Sequence, residues 1–525
     1  MMEPKIQVDM FEVGLGAALL LQFRLTNGQV VRVLADAGIV GGSTDRVMKR
    51  LPEALDSFDK SRRIDLIIGT HYDGDHLKGL PEIIRSDKFE FGEAWMPPVM
   101  KENGTLALSS NFLVEEMMER PVADVLYEHL KPVAARNRLL LEAEENATNT
   151  HRPDFRTLLR SNDTTFRDRR SALLKDDHAA DLDTMLTQFE SQLEDSRAVV
   201  DASNLHAEAI YGAPTNRPEQ SVSLKRTVLT ESLNGVARLE VDGLQLGPMH
   251  LIRASGQLRK SDASGAITAI HLGRAIEALK QRGVKAKSLH INNGEPMDLP
   301  WSAATKLFSK ASGAIGLQAR LLAPSKWLIE DLKEKIPIST FTMLRERLGD
   351  EPIPLKTVTP NNRLSYVVRF EHLGQGILVS GDAGCSDFGP EGAPPYYKDL
   401  LTGLMPLHVV QVAHHGGQNH HFYRVLQEAG TKEQKHLTHW LLSHAVNDDS
   451  RPSDPFRAFV SNMTAANAPM SLLFTSRPRR EFVKDFTHLF SSAVGPDKGN
   501  AAGDVRLVYD SSGWRVVKHA VRPPQ

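Results

Sequence analysis

The chain predicts an α/β protein, and two observations carry that prediction. Short apolar runs rich in β-branched residues, such as Ile64-Asp65-Leu66-Ile67-Ile68 and Val409-Val410-Gln411-Val412, alternate with segments of helical spacing, and the runs are flanked by Gly, Asn, Asp or Pro. Three run ends carry groups of metal-binding side chains: His71-Tyr72-Asp73-Gly74-Asp75-His76, Gly381-Asp382 and His414-His415-Gly416-Gly417. Strands that stop in tight turns leave polar side chains pointing at one space beyond their ends. That geometry suits a metal site.

Taken in order, Ile6 to Phe11, Ala18 to Arg24, Val30 to Ala35, Ile64 to Ile68 and Ala94 to Met96 are predicted strands, with helices over Ser43 to Ser57 and His76 to Ile84. The later strands are Leu364 to Phe370, Gly376 to Ser380, Val409 to Val412, Thr438 to Leu442, Ser471 to Phe474 and Val505 to Tyr509. Between these parts, Ser110 to Val200 is charged, poor in Gly and spaced as helices. Arg152, Arg156, Arg160, Arg167, Arg169, Arg170 and Lys175 make it locally basic, with Asp154, Asp163 and Asp168 diluting the charge; this is a solvated helical face or a phosphate-backbone track. Residues 203 to 270, with many Ser, Gly and Asn, read as a long loop or a small β element. Ala286 to Asn292 and Ala319 to Pro324 are predicted strands that return the chain to the α/β part.

With 525 residues, 41% of them hydrophobic, the chain can bury a large core and spans about two to four domain-sized units. A formal net charge of −2 excludes a protein that coats nucleic acid by overall basicity, but allows a local basic groove. The single cysteine, Cys385, excludes an intramolecular disulfide and a Cys-rich zinc module, and reads as a buried small apolar thiol. No apolar run approaches the ~20 residues of a spanning helix, and no charged leader precedes the first strand. A soluble, cytoplasmic protein without a membrane partner is expected.

The His71-x-Asp73-x-Asp75-His76 loop resembles the metallo-β-lactamase superfamily, with Asp73 where that family's usual pattern has a second His, and this form is similar to the hydrolase domain of the ComEC-type competence proteins. The resemblance extends to Phe11-Glu12-Val13-Gly14-Leu15-Gly16, to Asp36-Ala37-Gly38, to Asn361-Asn362-Arg363-Leu364-Ser365, and to the Gly381-Asp382 and His414-His415-Gly416 turns, in the family's order. Ala17 stands where an acidic residue usually follows the early Gly-x-Gly, and Gly417 where a Ser usually follows His-His-Gly. Residues 5 to 100 and 355 to 515 fit and most of 101 to 350 do not. The implied architecture is an αββα sandwich with a large, mainly helical insertion: residues 1–105 form the first half, 106–280 the insertion and 281–525 the second half.

On the family pattern, His71 and Asp73 would bind one divalent ion, Asp75 and His76 a second, and Asp382 would bridge them. His414, first off its strand, is the favoured remaining ligand, which leaves His415 to orient a phosphate or protonate a leaving group. His372 and His290 are weak candidates for the family's further His. The carboxylate-rich set suits Mn²⁺ or Mg²⁺ as well as Zn²⁺. Two such ions about 3.5–4 Å apart would activate a shared hydroxide, with Asp75 among the catalytic residues, and a phosphodiester is the substrate such a clamp suits best. The resemblance therefore implies a metal-dependent phosphodiesterase, a nuclease acting on DNA. The alternatives are hydrolysis of a small ester, thioester or lactam, and a partner-regulated effector of a bacterial defence module that docks another protein through its helical insertion.

Overall fold

The computed structural model describes residues 3–38, 42–98, 113–148, 184–198, 240–292, 294–310, 316–329, 360–389, 398–445, 451–490 and 502–519, apart from a few isolated positions, together with Asp448. The basic stretch from Arg152 to Lys175 lies outside the described residues.

The first half of the chain provides strands Ile6–Met10 (β1), Leu19–Arg24 (β2), Val30–Ala35 (β3), Arg63–Ile68 (β4) and Glu90–Trp95 (β5). A small hairpin, Glu240–Val241 (β6) with Leu244–Gln245 (β7), precedes Lys285–Lys287 (β8), Met297–Ser302 (β9), Leu307–Phe308 (β10) and Leu317–Ala323 (β11). The rest comprises Val367–His372 (β12), Gln375–Val379 (β13), Val409–Gln411 (β14), Thr438–Leu442 (β15), Met470–Phe474 (β16), Val505–Asp510 (β17) and Gly513–His519 (β18). These strands build two eight-stranded mixed sheets, ordered β18-β17-β1-β2-β3-β4-β5-β8 and β10-β9-β11-β12-β13-β14-β15-β16. Each sheet is antiparallel on one side and parallel on the other, with β3, β4, β5 and β8 parallel in the first and β13 to β16 parallel in the second. Parallel neighbours need crossovers, and helices such as Gly42–Asp56 (α1) between β3 and β4 supply them.

Every residue of β1 and nearly every residue of β2, β3 and β4 is buried, because both faces of the first sheet are covered. Alternate residues face opposite ways. Leu19, Leu21 and Phe23 join the core shared with the second sheet, where Phe23 meets Phe370 with ring centroids 6.0 Å apart and Trp95 meets Phe308 at 5.8 Å. Leu20, Leu34, Ile64 and Ile67 turn outward under helices, against Val47 and Leu51 of α1. On the far side, Trp440 of β15 lies 4.9 Å from the ring of Phe459, whose helix, Asp454–Ala465, covers that face. The order is helix, sheet, sheet, helix.

Two expectations need correction. Residues 248 to 270 are neither loop nor β: after the small hairpin, which fits the expectation, Pro248–Gln281 is one helix of 34 residues packed along Val122–Thr148. Its Ser and Gly residues read as loop formers, but Ala263, Ala266, Ala269, Ile270 and Ile276 make an apolar face, and tertiary packing outweighs weak propensity. The strand expected over Leu364 to Phe370 begins only at Val367, after a helical turn at Pro360–Arg363. The chain from residue 281 builds the second sheet and also gives β8, β17 and β18 to the first. No helix among the described residues is long and apolar enough to cross a membrane.

Candidate metal centre

All the ligand-rich turns lie just beyond the C-terminal ends of strands. Asp36 follows β3, the His71–His76 loop follows β4, Gly381-Asp382 follows β13, His414-His415 follows β14 and Ser443 follows β15. Clefts beyond those ends are where open α/β sheets place their sites. The two sheets touch here: Tyr366 N–H donates to Thr70 O at 2.8 Å, and a Cβ on Gly381 would sit 2.5 Å from Thr70 Oγ1. Gly381 has φ +51, so this position needs glycine twice over. Gly16 is similar, since at φ +121 its Cβ would meet Asp75 O at 2.2 Å.

Three imidazoles converge with their Nε2 atoms inward. His76 Nδ1 lies 2.7 Å from Asp36 Oδ2 and His415 Nδ1 lies 3.1 Å from Ser443 O, so each Nδ1–H donates outward and leaves Nε2 bare. Thr70 O–H donates to Asp36 Oδ2 at 2.6 Å, so its oxygen accepts from His71 Nδ1 at 3.1 Å and orients the third ring. His76 Nε2 then faces His415 Nε2 at 3.2 Å. Two bare lone pairs at that separation repel unless a proton or a cation lies between them. Asp382 faces all three rings: Oδ1 is 3.3 Å from His76 Nε2 and 3.5 Å from His415 Nε2, while Oδ2 is 3.8 Å from His71 Nε2. Asp75 Oδ2 is 3.4 Å from His415 Nε2 and 3.9 Å from His76 Nε2; Asp73 Oδ2 is 3.8 Å from His71 Nε2.

His71, Asp75 and His76 form one group able to hold a cation, and His76, Asp382 and His415 form another. His71 Nε2 and Asp382 Oδ1 are buried with no hydrogen-bond partner, a costly arrangement that a bound cation would relieve. The electrostatics agree. Burial opposes charge on His76, but Asp36, Asp382 and Asp75 outweigh it and hold the imidazole well above its ordinary value. Burial likewise opposes charge on Asp382 and Asp75, yet the His415 and His76 imidazoles hold both carboxyls below the usual carboxylate range. Burial, reinforced by His76, lowers His71.

The structure thus brings together His71, Asp73, Asp75, His76, Asp382 and His415. His414, favoured as the ligand, stands in neither group, and it is His415 that stands with His76 and Asp382. The reason is local backbone. His414 (φ 54), His415 (φ 52) and Gly416 (φ 71) are three successive left-handed residues, so the chain winds back on itself and the second ring reaches the cluster. His414 stays close enough to feel Asp382, His415, Arg451 and His71, with its Nδ1 buried and unpartnered. Left-handed non-glycine residues cost about 1–3 kcal/mol each and gather at functional sites. Asp36 (φ 59) belongs to the same set.

His290 and His372 stand in neither group; His372 bonds instead to the carbonyls of Gly316 and Arg24. Cys385 is buried as expected, and burial pushes its thiol up, so no thiolate is offered. Asp36, Thr70 and Ser443 were not singled out as site residues. The Asp36-Ala37-Gly38 turn was visible in the sequence, but its bond to a histidine forty positions away was not. Compared with known proteins, no family model matches the chain and no curated protein is significantly similar to it.

Proposed function

We propose that the protein is a metal-dependent phosphodiesterase of the metallo-β-lactamase fold, a nuclease acting on DNA. The observation that supports this most directly is Asp382, whose two carboxylate oxygens are turned to different imidazoles in a pocket where all three Nε2 atoms point inward. The four layers and the strand-end placement of the donors support the fold assignment. His71 and Asp73 would hold one divalent ion, Asp75, His76 and His415 the other, and Asp382 both; zinc or manganese suits this mixture of imidazole and carboxylate, and magnesium less well.

Divalent ions bound there supply Lewis acidity and bring the pKa of water toward neutrality. The chain's own groups do the rest. Asp36 and Thr70 fix the tautomers and directions of His76 and His71, and Ser443 fixes that of His415. In hydrolysis a water oxygen forms a bond to phosphorus as the bond to the departing alkoxide breaks, and that alkoxide needs a proton. His414, beside the donors but outside them, inherits one role first assigned to His415: burial lowers its imidazole, so it would orient the phosphate as a neutral hydrogen-bond donor while the departing alkoxide takes its proton from water.

The test is to purify the chain, quantify its metals, and assay bis(p-nitrophenyl) phosphate and plasmid, linear and single-stranded DNA with Mn²⁺, Mg²⁺ and Zn²⁺, beside Asp382→Ala. The reading expects bound metal and diester cleavage that the substitution abolishes. Cleavage of no diester with any metal, or equal cleavage by the variant, sinks it.

A further inference from the structure

The inserted helix Pro248–Gln281 packs on the metal loop itself, against Gly74–Leu77 and Leu80–Arg85. It reaches the loop at Gly74, between the donors Asp73 and Asp75, where a Cβ would lie 3.4 Å from His271 Cδ2 and 3.6 Å from His271 Nε2. Those are ordinary contact distances, so the imidazole lies directly against the loop between two of its donors. His271 is nearly buried, while Lys78, one helical turn beyond Gly74, and Arg274, one turn beyond His271, are exposed. Both cations bear on the His271 ring: burial first, then Lys78 and Arg274, bring its pKa down to about 4, so at neutral pH the ring is an uncharged hydrogen-bonding group near two positive ones.

A small ester or lactam would have no use for cations set to one side of the donor cluster. A polynucleotide would, because it carries a phosphate on either side of the one being cut, and neutralising those neighbours is the largest sequence-independent term in nucleic-acid binding. Arg matches phosphate oxygens bidentately and Lys acts as a point charge. The loop's own acids, Asp73 and Asp75, are committed to metal on the reading above. We propose that Lys78 and Arg274, gathered around His271 where the inserted helix meets the metal loop, form a subsite for a phosphate adjacent to the scissile one, so that the insertion selects polymeric over small diesters. This rests on the phosphodiesterase reading and names its substrate class.

The experiment compares the full-length protein with Lys78→Ala/Arg274→Ala and with the charge-preserving pair Lys78→Arg/Arg274→Lys. Binding of a fluorescent oligonucleotide is measured in Ca²⁺ by anisotropy over a range of salt, and turnover of the oligonucleotide and of bis(p-nitrophenyl) phosphate in Mn²⁺. The alanine pair should weaken oligonucleotide binding at least tenfold at low salt and flatten the log–log salt slope by about 1.4 for two lost single-strand phosphate contacts. Its ratio of oligonucleotide to small-diester kcat/KM should fall at least tenfold, and the charge-preserving pair should restore most of both. Unchanged binding and slope, or equal losses on both substrates, overturn the subsite. Rim-dependent binding without cleavage of either diester would instead overturn the hydrolase reading and leave the subsite standing.

Discussion

The two sheets meet at the donor cluster by opposite means. The loop after β4 holds His71, Asp73, Asp75 and His76 on ordinary backbone, with Asp73 at φ −69 and ψ 147, and takes its directions from side-chain bonds to Asp36 and Thr70. In the turn after β14, His415 reaches the cluster because three consecutive residues are left-handed, and one bond to Ser443 O fixes its ring. One edge is oriented by bonds to its side chains and the other by a left-handed turn that bonds to its backbone pin, from Gly417 N–H to His414 O and from Ser453 N–H to Gly416 O. Replacing Asp36 or Thr70 should therefore damage the first edge, whereas the second should respond to replacing its own histidines.

The substitution with the largest expected effect removes what the two edges share. Asp382→Ala should release both ions and lower diester turnover by roughly three orders of magnitude, the several kcal/mol of charge stabilisation that metal ions supply. Metal analysis beside single-turnover rates checks it; full metal content in the variant would mean that Asp382 is not a shared ligand. Next, the two neighbours of the strained turn should separate. His415→Ala should lose one ion of the pair, whereas His414→Ala should keep both and lose about 10²-fold in turnover through poorer positioning of the phosphate. If His414→Ala is the variant that loses metal, the ring assignment is reversed.

At the first edge, Asp36→Asn keeps the shape but replaces the carboxylate that orients His76 and accepts from Thr70. Metal affinity should fall about 10–100-fold, the usual cost of losing such a partner, as read by competition with a chelator. An unchanged affinity would show that the His76 ring is held by packing alone.

The fold class, most strands and five of the six converging donors were legible because they depend on local pattern: apolar runs of strand length, and ligands packed into six residues. What was not legible depends on distance or on backbone. Nothing in His414-His415-Gly416 says which ring turns inward, since that follows from left-handed dihedrals that non-glycine residues rarely adopt. His271 carried no signal at all, because its closeness to Gly74 is made by a helix whose own sequence resembles a loop.

A last comparison lies within the second edge, between two carboxylates five residues apart. Asp382 faces imidazoles and is held low; Asp387 faces Ser325, whose backbone N–H lies 3.1 Å from both carboxylate oxygens, and burial raises its carboxyl to about 7 against the bonds from that serine's side chain and backbone. The folded state therefore keeps a proton that the unfolded chain releases. Between pH about 4 and about 7 the unfolded state binds fewer protons than the folded one, so this group's contribution to stability is complete at the acid end, falls across that window and is level above it. Asp387→Asn cannot ionise, so relative to the parent it should gain stability progressively through the same window, by about 4 kcal/mol at the plateau. Urea unfolding of both proteins from pH 4 to 8 reads this directly. Parallel curves would show that Asp387 is already ionised in the fold, satisfied by Ser325 alone, and that burial at this edge does not by itself separate a structural carboxyl from a ligand.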